Sequence, residues 1–299
     1  MKNLGIIAAL AAVGLFGVQQ ASAGPILDSA EILWQFDYAD SGSPVTTGQI
    51  TDSSGNGHDA SSVVEGSLLN WTTVPANGPG GASTVGSAAR GLQFNPVVNI
   101  PGTADDVTSP GFIAAGDAIN GTSSTVFARF YWDGYVSDDA NAQMFWLLNN
   151  SLGSGGVGYL FGVRNDNLSL HMTNGSFDST QLKLTPGSWY DVAAVFDDKG
   201  DGDTANDEIT LYLYKNGQLL SHTISHVVPT TGGSTNIIVG SETLGTGSVN
   251  HRKGFDGTVD YIAFWDTALS EGQISALVPE PATLGMFSLG ALALIRRRR

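Results

Sequence analysis

GFDGTVDYIAFWDTALSEGQISAL, residues 254–277, is the stretch whose reading decides the fold. Gly257 to Trp265 reads as a strand that is apolar on both faces, with one carboxylate, Asp260, in its middle. A carboxylate in such a strand must be met by a cation or by several hydrogen bonds. Ser270 and Gln273 then form a capping box, and Leu269, Ile274 and Leu277 supply the apolar contacts of one short helix.

Upstream, the same alternation repeats between turn signals. In Ile209–Tyr214, Ile209, Leu211 and Leu213 share one face of a strand, and Thr210, Tyr212 and Tyr214 share the other. Asn216-Gly217 predicts a two-residue hairpin between strands at Glu208–Lys215 and Leu219–His226. Further strands are expected at Glu31–Tyr38, Gly91–Ile100, Thr125–Trp132, Gln143–Asn149, Gly158–Asn165, Leu168–Thr173, Trp189–Asp197 and Asn236–Gly240. Residues 52–59, DSSGNGHD, are turn chemistry, and the Gly-, Ser- and Pro-rich stretch 66–122 predicts long loops around its one strand. Many short strands at this spacing mean an all-β sandwich or barrel, and residues 24–278 are enough chain for one such domain.

The order WYDVAAVFD, EITLYLYKNGQLL, IIVGS and then the closing strand and helix resembles the laminin-G/concanavalin A-like jelly roll. Trp189, Tyr190, Tyr214, Asn216, Gly217, Phe255, Gly257, Asp260, Ala268, Leu269, Ser270, Ile274 and Leu277 carry the resemblance, which covers roughly residues 30–278 and is weakest over 60–120. It implies a concanavalin A-like (LamG) β-sandwich, lectin-like binding, and a structural calcium ion where the first and last strands meet, at Asp260 with Asp37 near it. The alternative for Asp260 is a carboxylate held by backbone amides.

The two ends carry addresses. Lys2, the apolar run Leu4–Val18 and Ala21-Ser22-Ala23 read as a secretory signal peptide, residues 1–23, cut to leave Gly24. The last 22 residues run Val278-Pro279-Glu280-Pro281, an apolar stretch over 282–295 and four arginines. As a helix that stretch would span roughly 21 Å, against a bilayer core of about 30 Å. This suits a temporary hold, with Pro279 and Pro281 keeping the approach to it extended. The pattern resembles the PEP-CTERM sorting signal of Gram-negative bacteria. It implies processing near Pro279-Glu280-Pro281 by an exosortase and delivery to the cell surface or an exopolysaccharide matrix. The alternative is an ordinary C-terminal membrane anchor.

Of the 13 Lys and Arg and 28 Asp and Glu, Lys2, the terminal arginines and Glu280 fall outside 24–278, leaving that segment at a net charge of −19. Nucleic acid and anionic membrane surfaces are poor partners for it. There is no cysteine, so no disulfide staples this exported chain and a structural metal is a plausible substitute.

Asp197–Glu208 follows the calcium-loop pattern D-x-[DN]-x-[DN]-G-x5-E except at its third position, where Lys199 stands. Asp197, Asp201, Asp203, Asp207 and Glu208 are the candidate ligands, and a solvated acidic hairpin loop is the alternative. Enzymatic signals are missing. The glucanase string E-x-D-x-E does not occur, nor does G-x-S-x-G, and no thiol is present. His222 and His226, four apart on a strand, stand about 13 Å apart, too far for one metal. Trp71, Tyr131, Tyr135, Trp146 and Tyr159 are the candidate sugar platforms. The expectation is a non-enzymatic surface or matrix protein binding extracellular polysaccharide. The alternatives are a structural matrix protein and, less favoured, a glycoside hydrolase.

Overall fold

The computed structural model describes residues 23–37, 42–74, 90–98, 107–115, 123–135, 144–149, 159–172, 175–201, 203, 205–215, 217–225, 236–240 and 254–278. In chain order these form α1 (Ala23–Leu27), β1 (Ile32–Gln35), β2 (Ala60–Val64), β3 (Leu69–Thr73), β4 (Arg90–Phe94), β5 (Val97–Val98), β6 (Val107–Thr108), β7 (Gly111–Ala115), β8 (Ser124–Trp132), β9 (Met144–Asn149), β10 (Tyr159–Arg164), β11 (Asn167–Met172), β12 (Gly175–Lys183), β13 (Ser188–Asp197), β14 (Glu208–Lys215), β15 (Gln218–Ser225), β16 (Asn236–Val239), β17 (Gly257–Trp265) and α2 (Glu271–Leu277).

Two antiparallel sheets make a jelly-roll sandwich. One runs β15-β14-β13-β8-β17-β4-β3, and the other β12-β11-β10-β9-β16-β7-β2. β17 shares one edge between two partners. Gly257–Val259 pair with β4, and Tyr261–Phe264 pair with β1. The principal core lies between the sheets and includes Trp34, Trp71, Phe94, Phe130, Phe161, Leu211 and Ile262.

A second apolar cluster covers the outer face of the first sheet. There Phe127, Tyr212, Tyr261 and Trp265 lie under Ile26 and Leu27 of α1, Ile274 and Leu277 of α2, and Val278. This explains the double-sided apolarity of the closing strand. Val259, Ile262 and Phe264 enter the inner core, while Tyr261, Ala263 and Trp265 enter the outer one. The change of parity between Val259 and Ile262 comes from a register shift at Asp260, since Val259 pairs with Phe130 but Tyr261 with Arg129. Trp265 Nε1 donates to the Ile26 carbonyl at 2.9 Å, so the outer cluster also fixes α1. Burying one side chain of this size stabilises the fold by about 1.5–3 kcal/mol.

The capping box forms as expected. Ser270 Oγ accepts from Gln273 N, and Gln273 Oε1 accepts from Ser270 N at 2.9 Å. The β14–β15 hairpin closes through a two-residue connection, with Lys215 opposite Gln218 and Gly217 at φ 82°.

One expectation is corrected. Within residues 66–122 the expected strand Gly91–Ile100 appears as β4 and β5, but β3, β6 and β7 stand where long loops were expected, and β2 and β12 also escaped the reading. Their short segments take their strand character from long-range pairing, as when Trp71 of β3 sits opposite Leu92 of β4. The first strand is also shorter than Glu31–Tyr38.

Candidate functional site

The acidic loop joins the paired ends of β13 and β14, where Asp197 faces Glu208. Lys199, in the left-handed region at φ 55°, turns its side chain back between them. Its Nζ lies 2.7 Å from Asp197 Oδ2 and 2.7 Å from Glu208 Oε2. These hydrogen bonds raise the lysine pKa, and the bond from Lys199 lowers that of Asp197. Asp201 accepts from Asp203 N at 2.8 Å and from Asn206 Nδ2 at 2.7 Å, Asp203 accepts from Ala205 N at 3.0 Å, and Asp207 is buried. Burial, and then the surrounding carboxylates, push Asp207 upward. The five candidate ligands therefore do not converge. Two share Lys199, and the others cap local turns or are buried. Among the described residues no three His, Asp or Glu side chains stand where they could hold a metal ion. Calcium takes six to eight oxygens, and the loop as folded offers its cation seat to an ammonium.

Asp260 also finds an organic cation. Its Oδ2 lies 3.3 Å from Arg129 Nε, and Asp191 Oδ1 lies 3.5 Å from Arg129 Nη1. The three residues come from adjacent strands in the order β13, β8, β17 and are each at most 3% exposed. The guanidinium stands 5.6 Å from the ring centroid of Trp189. Burial pushes the Asp191 carboxyl up to about 6, against the pull of Arg129. Phe36 N, one residue before Asp37, donates to the Asp260 carbonyl at 3.4 Å. Arg129 was not singled out from the sequence. The signal was present: TVFARFYW, WYDVAAVF and VDYIAFW each carry one charge inside an apolar strand.

The 52–59 turn is tied to β1 by one side chain. Asp52 Oδ1 accepts from Leu33 N and Ser54 N, both at 2.9 Å. Its Oδ2 accepts from Ser54 Oγ at 2.7 Å and His58 N at 3.1 Å. Burial raises this carboxyl, but the four hydrogen bonds outweigh it and hold the pKa below its ordinary value. Next to this turn lies an open pocket of about 220 Å³, lined by Gln35, Asp37, Gln49, Thr51, Ser53 and the edge of Trp71.

The candidate platforms separate. Trp71 is 1% exposed and donates through Nε1 to Gln49 Oε1 at 3.3 Å, so it cannot stack on a sugar. Tyr135 packs edge-on against Trp132, and its hydroxyl accepts from Asp166 N at 2.7 Å. Tyr131 is half-buried beside Trp189. The side chains of Trp146 and Tyr159 lie outside the described residues. His222 bonds to Ser179 Oγ through Nδ1 at 2.8 Å, while His226 lies outside.

Of the processing residues, Ala23 opens α1, and Ala21, Pro279, Glu280 and Pro281 lie outside the described residues, as does the 282–295 segment. No helix among the described residues is long and apolar enough to cross a membrane.

Two facing antiparallel sheets, a helix-covered outer face and internally compensated charges define a jelly-roll sandwich. Residues 101–275, more than half of the chain, match the concanavalin A-like lectin/glucanases superfamily, and the chain belongs to it. Residues 277–299 match the PEP-CTERM protein-sorting motif, the mark of an exported protein. Similar solved structures include the binding domain of botulinum neurotoxin serotype D, 14% identical over 84% of this chain and 51% of that one, with a TM-score of 0.48. The binding domain of Paraclostridial Mosquitocidal Protein 1 is 14% identical over 84% of this chain and 52% of that one, with a TM-score of 0.49. Domain 4 of AbnA, an extracellular arabinanase from Geobacillus stearothermophilus solved with arabinotriose, is 13% identical over 84% of this chain and 98% of that one, with a TM-score of 0.47. The chain spans about half the length of the toxin binding domains it matches. No curated protein sequence matches it.

Proposed function

We propose that this exported protein is processed by an exosortase, resides at the surface or in the extracellular matrix of a Gram-negative bacterium, and binds extracellular polysaccharide without cleaving it. The observation that carries this reading is a lectin/glucanase superfamily sandwich running directly into a sorting motif. Removal of residues 1–23 would free Gly24. The 282–295 segment would hold the chain in the membrane until a cut near Pro279-Glu280-Pro281. Binding is favoured over hydrolysis by how the acids of the loop, of the buried cluster and of the 52–59 turn are used. Glycoside hydrolysis needs two carboxyl groups flanking the bond, about 5–5.5 Å apart for retention and about 6.5–9.5 Å for inversion. Glu208 is engaged by Lys199, Asp191 and Asp260 by Arg129, and Asp52 by its turn. A calcium ion could enter the 197–208 loop only by displacing Lys199.

The test uses the full chain purified in detergent on immobilised bacterial exopolysaccharides. Saturable binding that soluble polysaccharide inhibits supports the reading. A folded chain that binds none of them would leave a structural matrix protein, and release of reducing sugar would make it a hydrolase instead.

A further inference from the structure

β15 stands at one end of its sheet, and its outer edge is undefended. An edge strand presents a row of N–H and C=O groups that a further strand can take up. Folds blunt such edges with a bulge, a charge, a proline, short length or a covering segment. The three other terminal strands are blunted in these ways. Over β3, Val45 N donates to the Leu69 carbonyl at 2.9 Å and Trp71 N to the Ser43 carbonyl at 3.1 Å, so the 43–45 segment covers it. β2 is five residues long and slips register against β7 between Ala60 and Ser62. β12 slips register against β11 beside Asn167, and it carries Asp178 and Lys183. β15 has none of these devices. Its eight residues, QLLSHTIS, include no Asp, Glu, Lys, Arg or Pro, and they pair with β14 one for one from Gln218–Lys215 to Ser225–Glu208.

The tight turn fixes which backbone groups are free. Lys215 and Gln218 close a two-residue hairpin, and such a closing pair exchanges both of its backbone bonds. Leu220, His222 and Ile224 therefore also bond to β14, while Leu219, Ser221, Thr223 and Ser225 turn their N–H and C=O groups outward. Among the described residues no backbone hydrogen bond reaches those outward groups. β12 meets β15 through a side chain, His222 Nδ1 with Ser179 Oγ at 2.8 Å.

Charge selects the occupant and its direction. The Ser225 end lies beside the acidic loop, because Ser225 faces Glu208 and the exposed Asp201 and Asp203 follow in that loop. The Gln218 end lies beside Lys215, whose Nζ donates to the Lys183 carbonyl at 2.9 Å and so brings a second lysine to that end. Two copies paired in parallel would set acidic loop against acidic loop. Two copies paired antiparallel about a two-fold axis set the acidic end of each against the lysines of the other. A second copy of this chain thus matches the edge at both ends.

We propose that two copies of this protein join through β15, antiparallel and two-fold symmetric, so that two sheets become one. In the register that uses every outward group, Leu219 of one copy lies opposite Ser225 of the other and Ser221 opposite Thr223, with about eight backbone hydrogen bonds across the joint. Each copy offers one such edge, so the assembly closes at two. The inference does not depend on polysaccharide binding.

The test is sedimentation equilibrium of the full chain in density-matched detergent, up to its highest soluble concentration. Two variants each place a pair of like charges on the edge: Ser221→Lys with Thr223→Lys, and Ser221→Glu with Thr223→Glu. Both positions are exposed, and thermal melting confirms that each variant is folded. Across antiparallel strands like charges repel and unlike charges attract. The expected result is a dimeric wild type, association at least about tenfold weaker in each variant alone, and recovery of dimers holding one of each when the two variants are mixed. A wild-type chain that stays monomeric, or that associates beyond two copies, would overturn the proposal. Dimers that both variants form as well as the wild type would overturn it too, by placing the contact elsewhere on the chain. Weakening without recovery in the mixture would do the same, because it would report damage to the strand and not a lost pairing.

Discussion

Two places in this molecule set one basic side chain between two acidic ones, and they do opposite work. Arg129 lies between Asp191 and Asp260 at 3.5 and 3.3 Å, almost wholly out of water. Lys199 lies between Asp197 and Glu208 at 2.7 Å from each, with these side chains about one-third exposed. Ranked by distance, the lysine cluster is the stronger. Ranked by environment, the order reverses. Surface pairs gain little because water competes for both partners and two flexible side chains must be held. A buried pair, once formed, cannot lose a member without leaving an uncompensated charge in a poor solvent. The residue types follow. The guanidinium can bond two carboxylates from one planar group and sheds water readily, whereas the ammonium suits an exposed seat.

Breaking the buried cluster has the largest expected effect. Arg129→Met strands two carboxylates and should cost about 3–5 kcal/mol, measured by urea denaturation. Adding Asp191→Asn and Asp260→Asn should recover most of that loss. A single Arg129→Met loss below about 1 kcal/mol would mean that water reaches the cluster and that the contrast with the loop is false.

Acidity sharpens the same contrast. The folded Asp191 carboxyl titrates at about 6, above its unfolded value, so the native state holds a proton that the unfolded state has released. The stability this adds is complete below about pH 4 and is lost as pH rises through about 6. Asp256, raised to about 6 by burial and by Asp133, acts in the same direction. Asp191→Asn, which mimics the protonated form, should therefore gain on the wild type as pH rises from 4 to 7. Parallel melting curves across that range would show that Asp191 is ionised throughout.

At the surface, Lys199→Asp completes the calcium-loop pattern at its one departure. It should make melting depend on calcium, by about 2.7 kcal/mol at a hundredfold excess over Kd. The wild type, whose ammonium calcium must displace, should respond less. Equal responses to calcium and chelator in the two proteins would show that the loop backbone, and not Lys199, excludes the metal. The smallest effect is expected of Lys199→Ala, at most about 1 kcal/mol and vanishing in molar salt.

The sequence disclosed these two clusters unequally. The acidic loop is local, and all its parts lie within twelve residues, so its chemistry was visible and only the geometry of Lys199 was not. Asp260 stood out as a lone charge in an apolar strand, but its partner could not be read, because β8 becomes its neighbour only through the strand order β13-β8-β17. The same rule divides the fold. Glu208–Lys215 and Gly257–Trp265 were legible to the residue, and so was the division of Ile209–Tyr214 into two faces, though which face enters the inner core was not. GFIAA at β7 and GSFDSTQLK at β12 are strands by pairing, and a five-residue apolar string or a run of Ser and Thr announces no period alone. Asp37 was noticed for its place near the first strand. The Trp71 indole is held by Gln49 Oε1, and that relation exists in space and not along the chain.

The outer cluster clasps the beginning of the sandwich against its end, with Ile26 and Leu27 packed among Ile274, Leu277 and Val278. The polypeptide between them is thus nearly a closed loop. A short splice from residue 278 to residue 24 would make it a ring, and the ring could be reopened at the tight 216–217 turn without crossing a sheet. Shape here does not depend on where the thread is cut, and whatever is attached at either of its present ends departs from a single pole of the body.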